Sequence, residues 1–419
     1  MNARVPPGWL DAPAGLCEPE RPAWRQALDA RIDRWMAAPA LYRWSVSNPL
    51  TRWFTRRRAE RLFGVMAGFV HSQVLLACVR LRVFELVAER PRTRDELASL
   101  TGLPADAADR LVRSAVAIEL LAPRGGGRFG LGPLGRPVAA DPGLRGMIEH
   151  DAVLYEDLRD PLALLGARTA AGMQGYWLYT EGSDAQRTRD WSAEQVARYS
   201  QLMGQSQRFL IDELLASYPF ADHACVLDVG GGQGGWVRAL ARHAPGLALK
   251  LFDLPPVAQL ARAQVAQAGL EDRITVHGGS FAHDPLPQGA DLVTLLRVAH
   301  DHPDAVVRSL LAAIHAALPP GGTLLLAEPM AEPEGEPSAA DAYYHFYLMA
   351  MGPGRLRTPA ELMALMADAG FGCLELVPNP MPLHGRILVG RKRGGASPQA
   401  PAGVSTHLGT KFDRSVNNS

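Results

Sequence analysis

The chain has 419 residues, which is enough for two or three domains built around a sizeable core. Its 43 basic and 43 acidic residues balance, so the bulk charge argues against a nucleic acid or another acidic polymer as partner. The four cysteines lack C-x-x-C spacing and no charged-then-apolar signal segment opens the chain, which predicts a cytoplasmic protein. We expect no membrane-spanning helix, because no apolar run reaches the roughly 18 residues that one needs.

Residues 1–62 are rich in Pro, Trp and Arg, and their helical patches predict an extension that precedes the first domain. Within it, the stretch Arg52-Trp53-Phe54-Thr55-Arg56-Arg57-Arg58 mixes arginines with aromatic side chains. This pattern fits a solvated basic helix start, and it also fits a peripheral contact with the inner membrane.

Residues 63–217 are predicted to form a mainly helical domain. A long apolar helix spans Phe69 to Val87, and the capping-box spacing Thr93 to Glu96 opens a short helix that ends at Gly102. A second helix from Pro104 to Leu121 and a β-hairpin from Leu121 to Leu131 complete the order helix, turn, helix, wing. Further helices follow to residue 217, with aromatic residues clustered at Tyr176-Trp177-x-Tyr179.

A winged helix raises two functional alternatives. A DNA-reading helix needs several cations on its exposed face, whereas the second helix offers mainly Arg110 and Arg113. The helix from Phe69 to Val87 is apolar on too many faces for a small domain to bury. The sequence therefore favours a homodimerisation surface without nucleic acid, and a DNA-binding regulator is the alternative.

From Cys225 onwards the chain alternates short apolar strands with helices, which predicts a parallel α/β sheet in a domain spanning residues 218–393. Its first strand leads into VLDVGGGQGGW, which runs from Val226 to Trp236. Glycines at a strand-to-helix turn let the backbone approach a ligand closely. The polar tail, residues 394–419, shows no periodicity and is predicted to be disordered.

The glycine loop is compatible with NAD, since Asp253 ends the next strand and can take ribose hydroxyls. Asp228, two residues before Gly230, argues against that ligand, because its carboxylate would repel a pyrophosphate. The same carboxylate would stabilise the ammonium group of S-adenosylmethionine, which carries a ribose and no phosphate. A tight turn that only packs helix on strand is the structural alternative.

Two more polar groups lie at the carboxyl ends of strands, where open α/β sheets keep their sites. His300 and Asp301 follow LVTLLRVA, and Glu328 ends the strand after the turn Pro319-Pro320-Gly321-Gly322. If these strands are neighbours, His300 and Glu328 face each other. A turn that merely caps the helix at Pro303 would explain the His-Asp pair without chemistry.

With these motifs in order, the chain from Val65 to Arg393 resembles the S-adenosylmethionine-dependent O-methyltransferases that carry an N-terminal winged-helix dimerisation domain. Asp228 to Gly234, Asp253 with Leu254-Pro255, His300-Asp301, Glu328, and Arg357-Thr358 carry the resemblance. It implies a Rossmann-like α/β class I methyltransferase domain with a mostly parallel sheet. It also implies S-adenosylmethionine as cofactor and no metal. The implied cofactor-binding residues are Asp228, Gly230, Gly231, Gly232, Asp253, Leu254, Ser280, Phe281 and Arg297.

Within that family, PLTRWFTRRRAERLFGVMAGFV and MIEHDAVLYEDLRDPLALL resemble bacterial carotenoid O-methyltransferases that act on hydroxyneurosporene or demethylspheroidene. A sister group that methylates bacteriochlorophyll intermediates shares the architecture, and a phenolic or polyketide acceptor is a further alternative. The chain departs from the family pattern at three positions. Ser280 and Leu356 stand where acidic residues are frequent, and His302 stands where Trp is usual.

Methyl transfer to a hydroxyl needs a group that accepts the proton, and a neutral imidazole with a pKa near about 6.5 suits this. The resemblance assigns His300 as base and Glu328 as the group that orients it. For the substrate, an aromatic and Met-rich stripe on one predicted helix suits a long apolar molecule, although such stripes more often form core. The expected substrate-binding residues are Tyr155, Tyr176, Tyr344, Tyr347 and Met351, with Tyr343, Phe346 and Met349 on the same stripe.

Overall fold

A computed structural model describes residues 22–166, 172–173, 208–332, 338–380 and 385–393. The predictions for Tyr176 to Tyr179 and for the C-terminal tail fall outside these residues. The described chain divides into two compact units, one before Cys78 and one from Cys78 onwards.

The first unit consists of helices. They are α1 (Ala23–Met36), α2 (Pro39–Ser47) and α3 (Pro49–Arg80), the last turn of which belongs to the second unit. Proline opens both α2 and α3, as expected for a residue with a fixed φ and no N–H to leave unpaired at a helix start.

Among the described residues, α3 is long and apolar enough to cross a bilayer, judged by length and composition alone. Its most apolar window has a mean hydropathy of 1.9 and is 17 % buried. The expectation that no segment reaches this length is wrong, because the apolar stretch continues on both sides of the polar His71-Ser72-Gln73. An apolar interface helix of a soluble protein meets the same criterion.

The second unit begins with the winged-helix module. Its elements are α4 (Val83–Glu89), β1 (Arg92–Thr93), α5 (Arg94–Thr101), α6 (Ala105–Ala117), β2 (Leu121–Pro123), β3 (Arg128–Leu131) and α7 (Gly135–Ala140). The predicted capping box is present, since Thr93 and Glu96 exchange side-chain and backbone hydrogen bonds. The predicted hairpin pairs Leu121 with Leu131 around Gly125 to Gly127, which all have positive φ.

Two predicted helix boundaries in this region are wrong. The apolar helix from Phe69 to Val87 is broken at Arg82, whose φ of 55° ends one helix and starts α4. The break lets Phe84 and Val87 pack in the core of the module. The helix predicted to run to Leu121 ends at Ala117, because Leu121 instead pairs with the wing strand β3.

Helices α8 (Pro142–Asp157), α9 (Pro161–Leu165) and α10 (Arg208–Ser217) lead to the α/β domain. Its strands are β4 (Cys225–Val229), β5 (Ala248–Asp253), β6 (Ile274–Gly278), β7 (Leu292–Leu296), β8 (Thr323–Glu328), β9 (Phe371–Val377) and β10 (Arg386–Lys392). Its helices are α11 (Gly235–His243), α12 (Pro255–Gln267), α13 (Asp304–Ala317), α14 (Ala339–Met351) and α15 (Pro359–Asp368).

The sheet has the order β6-β5-β4-β7-β8-β10-β9, and β10 runs antiparallel to both of its neighbours. Successive residues of β4 feed cores on opposite faces, as a pleated strand requires. Leu227 packs with α13 and α15, whereas Val226 packs with Trp236 and Leu240 of α11. The predicted α/β architecture is confirmed, and the strand order reverses between β4 and β7.

Candidate active site

Most of the predicted site residues lie at the carboxyl edge of the sheet, around the switch point between β4 and β7. Asp228 is in β4 and Asp253 ends β5, while Ser280 follows β6. His300 follows β7 and Glu328 ends β8. Open α/β sheets bind ligands at this crevice, so the topology alone places these side chains around one site.

The glycine loop after β4 leaves no room for a side chain at Gly230 or Gly231. A Cβ on Gly231 would lie 2.6 Å from Asp228 Oδ2, and one on Gly230 would lie 2.7 Å from Val298 Cγ2. Gly230, Gly232 and Gly234 have positive φ, a conformation that favours glycine. The loop therefore presents bare backbone to the crevice, as a close-fitting ligand requires.

Asp228 is a buried carboxylate that accepts a hydrogen bond from the Thr294 hydroxyl, 2.8 Å from Oδ1. Trp236 Nε1 in turn donates to the Thr294 oxygen at 3.2 Å. Burial raises the pKa of Asp228 to about 8; the nearby Asp253 charge adds to this, and the Thr294 hydrogen bond opposes it. A cationic ligand group would stabilise the ionised form, so the ammonium group of S-adenosylmethionine fits this position.

Asp253 ties the end of β5 to the glycine loop. Its Oδ2 accepts from the Gly232 backbone N–H at 2.7 Å, and its Oδ1 accepts from the Leu254 N–H at the same distance. A carboxylate oxygen can accept more than one hydrogen bond. The carboxylate thus has acceptor capacity for the two hydroxyls of a ribose.

The loop after β6 contains Ser280 and Phe281. The Ser280 backbone N–H donates to Asp284 Oδ2 at 2.8 Å, while the Ser280 hydroxyl accepts from the Ala282 N–H at 3.3 Å. Phe281 packs edge-on against the His302 ring. The sequence indicates that Ser280 stands where an acidic residue is frequent in the family. It does not reveal that the Asp284 carboxylate lies against the backbone of Ser280.

His300 lies in a short 3-10 turn, Ala299–Asp301, directly after β7. Its Nδ1 is 3.3 Å from Glu328 Oε2, which also accepts from the His300 backbone N–H at 3.0 Å. Both side chains are buried, at 3 % and 1 % exposure. The pairing follows from β7 and β8 being parallel neighbours, so Glu328 sits beside the turn that carries the histidine.

Asp301 presents a second carboxylate to the His300 ring. Its Oδ1 lies 3.2 Å from His300 Nε2, and this buried oxygen makes no hydrogen bond. Burial raises the pKa of Asp301 to about 6, against the lowering effect of the charges on His300 and Arg297. Two acidic side chains therefore flank one imidazole.

Arg357 holds the turn that carries His300, a function that the sequence did not reveal. Its fully buried guanidinium donates to the backbone oxygens of Ala299 at 2.8 Å and His302 at 2.7 Å. It also donates to the Asp304 carboxylate at 2.7 Å. The buried Leu356, at a position where the family frequently has an acidic residue, is thus followed by an arginine that holds the backbone of this turn.

Arg297 stands at the end of β7 in a strained conformation, with φ at 55°. Residues held in sparsely populated backbone regions cluster at functional sites. Burial and then the charge of Arg297 lower the pKa of His150 to about 4, and the same charge opposes the burial that raises the pKa of Asp301, so the guanidinium lies within electrostatic reach of both.

The aromatic stripe of α14 packs against α8 in an otherwise apolar cluster with Leu154, Leu164, Met173 and Met351. Its tyrosine hydroxyls pair with polar groups on α8. Tyr343 donates to Asp151 Oδ1 at 2.8 Å, and the Tyr347 hydroxyl lies 3.3 Å from His150 Nε2. Tyr344 packs edge-on against Tyr343, and Tyr155 is half-buried on α8.

Comparison with known proteins agrees with this arrangement. Residues 155–372 match the O-methyltransferase domain family, and residues 63–141 match the O-methyltransferase dimerisation domain. The chain therefore belongs to the S-adenosylmethionine-dependent O-methyltransferases that carry a dimerisation domain. It is an enzyme that uses S-adenosylmethionine as methyl donor and forms a homodimer.

Two curated relatives are demethylspheroidene O-methyltransferases. The one from Cereibacter sphaeroides is 41 % identical over 334 residues, 80 % of this chain and 87 % of the relative. The one from Rhodobacter capsulatus is 43 % identical over 323 residues, 77 % of this chain and 79 % of the relative.

Solved structures share the fold. The S-adenosylmethionine-dependent methyltransferase SibL has a TM-score of 0.67 at 25 % identity, over 80 % of this chain and 99 % of its own. Human N-acetylserotonin methyltransferase in complex with S-adenosylmethionine has a TM-score of 0.64 at 24 % identity, over 80 % of this chain and 98 % of its own.

Proposed function

We propose that the enzyme methylates the terminal tertiary hydroxyl of an acyclic carotenoid such as hydroxyneurosporene or demethylspheroidene. The observation that carries the proposal is the placement of a buried His300–Glu328 pair beside an apolar, aromatic cluster between α8 and α14. The names of the two bacterial relatives support the substrate class.

The cofactor is proposed to lie along the carboxyl edge of the sheet. Asp228 binds its ammonium group, the backbone of Gly230 to Gly232 surrounds its amino-acid end, and Asp253 accepts from the ribose hydroxyls. Leu254, Ser280 and Phe281 are proposed to contact the adenine. They follow β5 and β6, and β6 is the next strand after β5 in the direction that leads away from β4. Arg297, which directly follows β7, is the remaining proposed cofactor-binding residue.

The bound cofactor supplies an electrophilic methyl group on a sulfonium. The acceptor hydroxyl would lie in line with the S–CH3 bond, which breaks to leave a neutral thioether as the O–C bond forms. His300 would take the hydroxyl proton at Nε2, the ring nitrogen that faces Asp301 in the structure. Glu328, at Nδ1, fixes the tautomer and stabilises the imidazolium. An alcohol is less acidic than a phenol, so a carotenoid acceptor depends strongly on a well-oriented base.

The pocket is proposed to bind its substrate through aromatic ring faces and sulfur atoms. Because the hydroxyls of Tyr343 and Tyr347 are bonded to α8, the rings between these contacts present apolar surface. Tyr344, Met351, Tyr155 and Tyr176 are proposed to extend this surface. Such a lining excludes water and suits a long hydrocarbon chain.

We further propose four regions: an extension at 1–62, a dimerisation and substrate domain at 63–217, the cofactor domain at 218–393 and a tail at 394–419. The enzyme is proposed to be cytoplasmic and to work at the inner membrane, since an acyclic carotenoid dissolves in a bilayer. The Arg-Trp segment around residues 52–58 is the proposed point of peripheral contact.

A substrate panel tests the function. Purified protein and S-adenosylmethionine are incubated with detergent-dispersed hydroxyneurosporene, a bacteriochlorophyll intermediate or a catechol, and each product is followed by mass. We expect one methyl group on the carotenoid hydroxyl. Methylation of the catechol alone, or of a tetrapyrrole carbon, would end the carotenoid proposal. The His300→Ala variant serves as the control for uncatalysed transfer.

A further inference from the structure

The first helix of the chain carries an exposed apolar stripe. Trp24, Leu28, Ile32 and Trp35 follow one another at spacings of three and four residues, which places them on one helix face. All of them are exposed, with both tryptophans at 64 %. A continuous exposed stripe of tryptophan and aliphatic side chains on a helix indicates a surface that binds another protein or a membrane.

The same composition continues into the following helices. Trp44 on α2 is exposed, and so are Leu50, Trp53 and Phe54 at the start of α3, with Leu50 at 90 %. The last three again lie on one helix face by their spacing. Tryptophan and phenylalanine beside polar positions are typical of segments that lie in the interface of a bilayer.

The charge of this region is strongly positive. Residues 22–62 contain nine arginines against three acidic residues, Asp29, Asp33 and Glu60, although the whole chain is neutral. Arg57 lies over the Trp53 ring at 5.5 Å, and Arg25 lies over the Trp24 ring at 5.3 Å. These arginines therefore lie on the same surface as the exposed tryptophans that they contact.

A second exposed apolar patch differs in charge. Leu62, Phe63, Val65, Met66, Phe69 and Val70 are exposed on α3, and residues 62–70 contain no charged residue. The dimerisation-domain match begins at residue 63, so it includes nearly all of this neutral patch and none of the basic one. The neutral patch suits a second copy of the chain, whereas the basic patch suits an anionic partner.

We infer that α1, α2 and the first turns of α3, residues 22–58, form a docking surface for a bilayer rich in anionic phospholipid. The inference rests on the proposed function, because the docking surface would hold the enzyme at the bilayer in which its proposed carotenoid substrate is dissolved. Tryptophan rings insert at the headgroup level, and arginines pair with the lipid phosphates.

Vesicle flotation of the full-length protein tests the docking surface. We expect binding to vesicles that contain phosphatidylglycerol, weak binding to pure phosphatidylcholine vesicles, and loss of binding at high salt. Replacing Arg56, Arg57 and Arg58 by Gln is expected to weaken binding roughly a hundredfold, and replacing Trp24, Trp35, Trp44 and Trp53 by Ala is expected to abolish the blue shift of tryptophan emission.

The matched control replaces Arg110 and Arg113 of α6 by Gln. These arginines are also exposed, and each is paired with an aspartate four residues earlier, as Arg56 is paired with Glu60. The control is expected to bind vesicles as the unmodified protein does. Equal binding to both vesicle types, or unchanged binding of the arginine variant, would overturn the inference. Loss of the dimer in the tryptophan variant, seen by light scattering, would assign the surface to a second copy instead.

Activity measurements separate the docking surface from the proposed function. With hydroxyneurosporene in detergent, the arginine variant is expected to keep its full rate, and with the substrate in phosphatidylglycerol vesicles it is expected to lose at least about tenfold. Carotenoid methylation without vesicle binding would refute the docking surface alone. Vesicle binding by an enzyme that methylates only a catechol would refute the proposed substrate and leave the surface in place.

Discussion

Asp228 is a carboxylate that accepts a hydrogen bond from a neutral hydroxyl, that of Thr294. Its pKa is raised to about 8, mainly by burial, so below that pH it must lose a proton before it can pair with an ammonium group. Affinity for S-adenosylmethionine should therefore rise between pH 5.5 and 7.5, by up to about tenfold per pH unit.

The Asp228→Asn variant checks this claim. The amide is neutral at every pH, so we expect the affinity measured by calorimetry to fall about 10- to 100-fold at pH 7.5 and to become nearly independent of pH. An unchanged pH dependence in the variant would mean that another group takes the ammonium. Asp272→Asn, at an exposed position in the turn between α12 and β6, is the control.

Asp151 is held by the Tyr343 hydroxyl. Burial raises the pKa of Asp151 to about 6, whereas an unfolded carboxyl titrates near about 3.9, so the folded protein binds more protons between these values. Stability from this group is present below about pH 4 and is lost as the pH rises towards 6.

The Tyr343→Phe variant removes the donor that lowers this pKa, so the pKa should rise further and the loss of stability should continue to higher pH. We expect a destabilisation of about 1–3 kcal/mol at pH 7.5 and a smaller one at pH 5. Thermal unfolding at the two pH values measures it. Equal destabilisation at both would show that the pair is not coupled through the Asp151 proton.

The turn Ala299–Asp301 is held by Arg357, which lies more than 50 residues later in the chain and directly before the N-cap of α15. Arg357 donates to the backbone oxygens of Ala299 and of His302, which follows the turn. Among the described residues, the Arg355 side chain bonds to Asp304 and Glu361. The two arginines therefore offer a matched comparison between a residue that positions the base and one that does not.

We expect Arg357→Lys to lower kcat about 10- to 100-fold, because an ammonium cannot bridge both carbonyls and the histidine shifts from its line of attack. The cofactor dissociation constant should stay unchanged, since Asp228 and Asp253 lie on other strands. Arg355→Lys should leave kcat within about threefold. A similar loss in both variants would indicate general destabilisation rather than positioning of His300.

The parallel α/β sheet could be predicted from the sequence, because short apolar strands alternate with helices. The pairing of His300 with Glu328 could be predicted only on the condition that the two strands they follow are neighbours. Asp228 could be singled out because its charge is incompatible with a pyrophosphate. Contacts such as Tyr343 with Asp151 could not be predicted, since the partners lie 192 residues apart and no local pattern links them. The helix break at Arg82 could not be predicted, because the positive φ falls on an arginine and no Gly or Pro lies beside it.

At the scale of the whole molecule, the homodimer and the exposed neutral patch of α3 belong together. We expect Phe69→Glu to give a monomer by light scattering at micromolar concentration, because it buries a charge in an interface without a partner. Trp44→Glu, on the basic surface of α2, should leave the dimer intact. A monomeric Trp44→Glu variant with a dimeric Phe69→Glu variant would reverse the assignment of the two surfaces.

As the proposed base, His300 is expected to remove the proton of a carotenoid hydroxyl during methyl transfer. The most direct measurement is the single-turnover rate of methyl transfer to hydroxyneurosporene by the His300→Ala variant, with cofactor affinity measured on the same protein. We expect the rate to fall about 10²- to 10⁴-fold with the affinity unchanged, because the base acts on the hydroxyl and not on the sulfonium. A loss of less than about threefold at neutral pH would contradict the account, since proximity alone or another base would then drive the reaction.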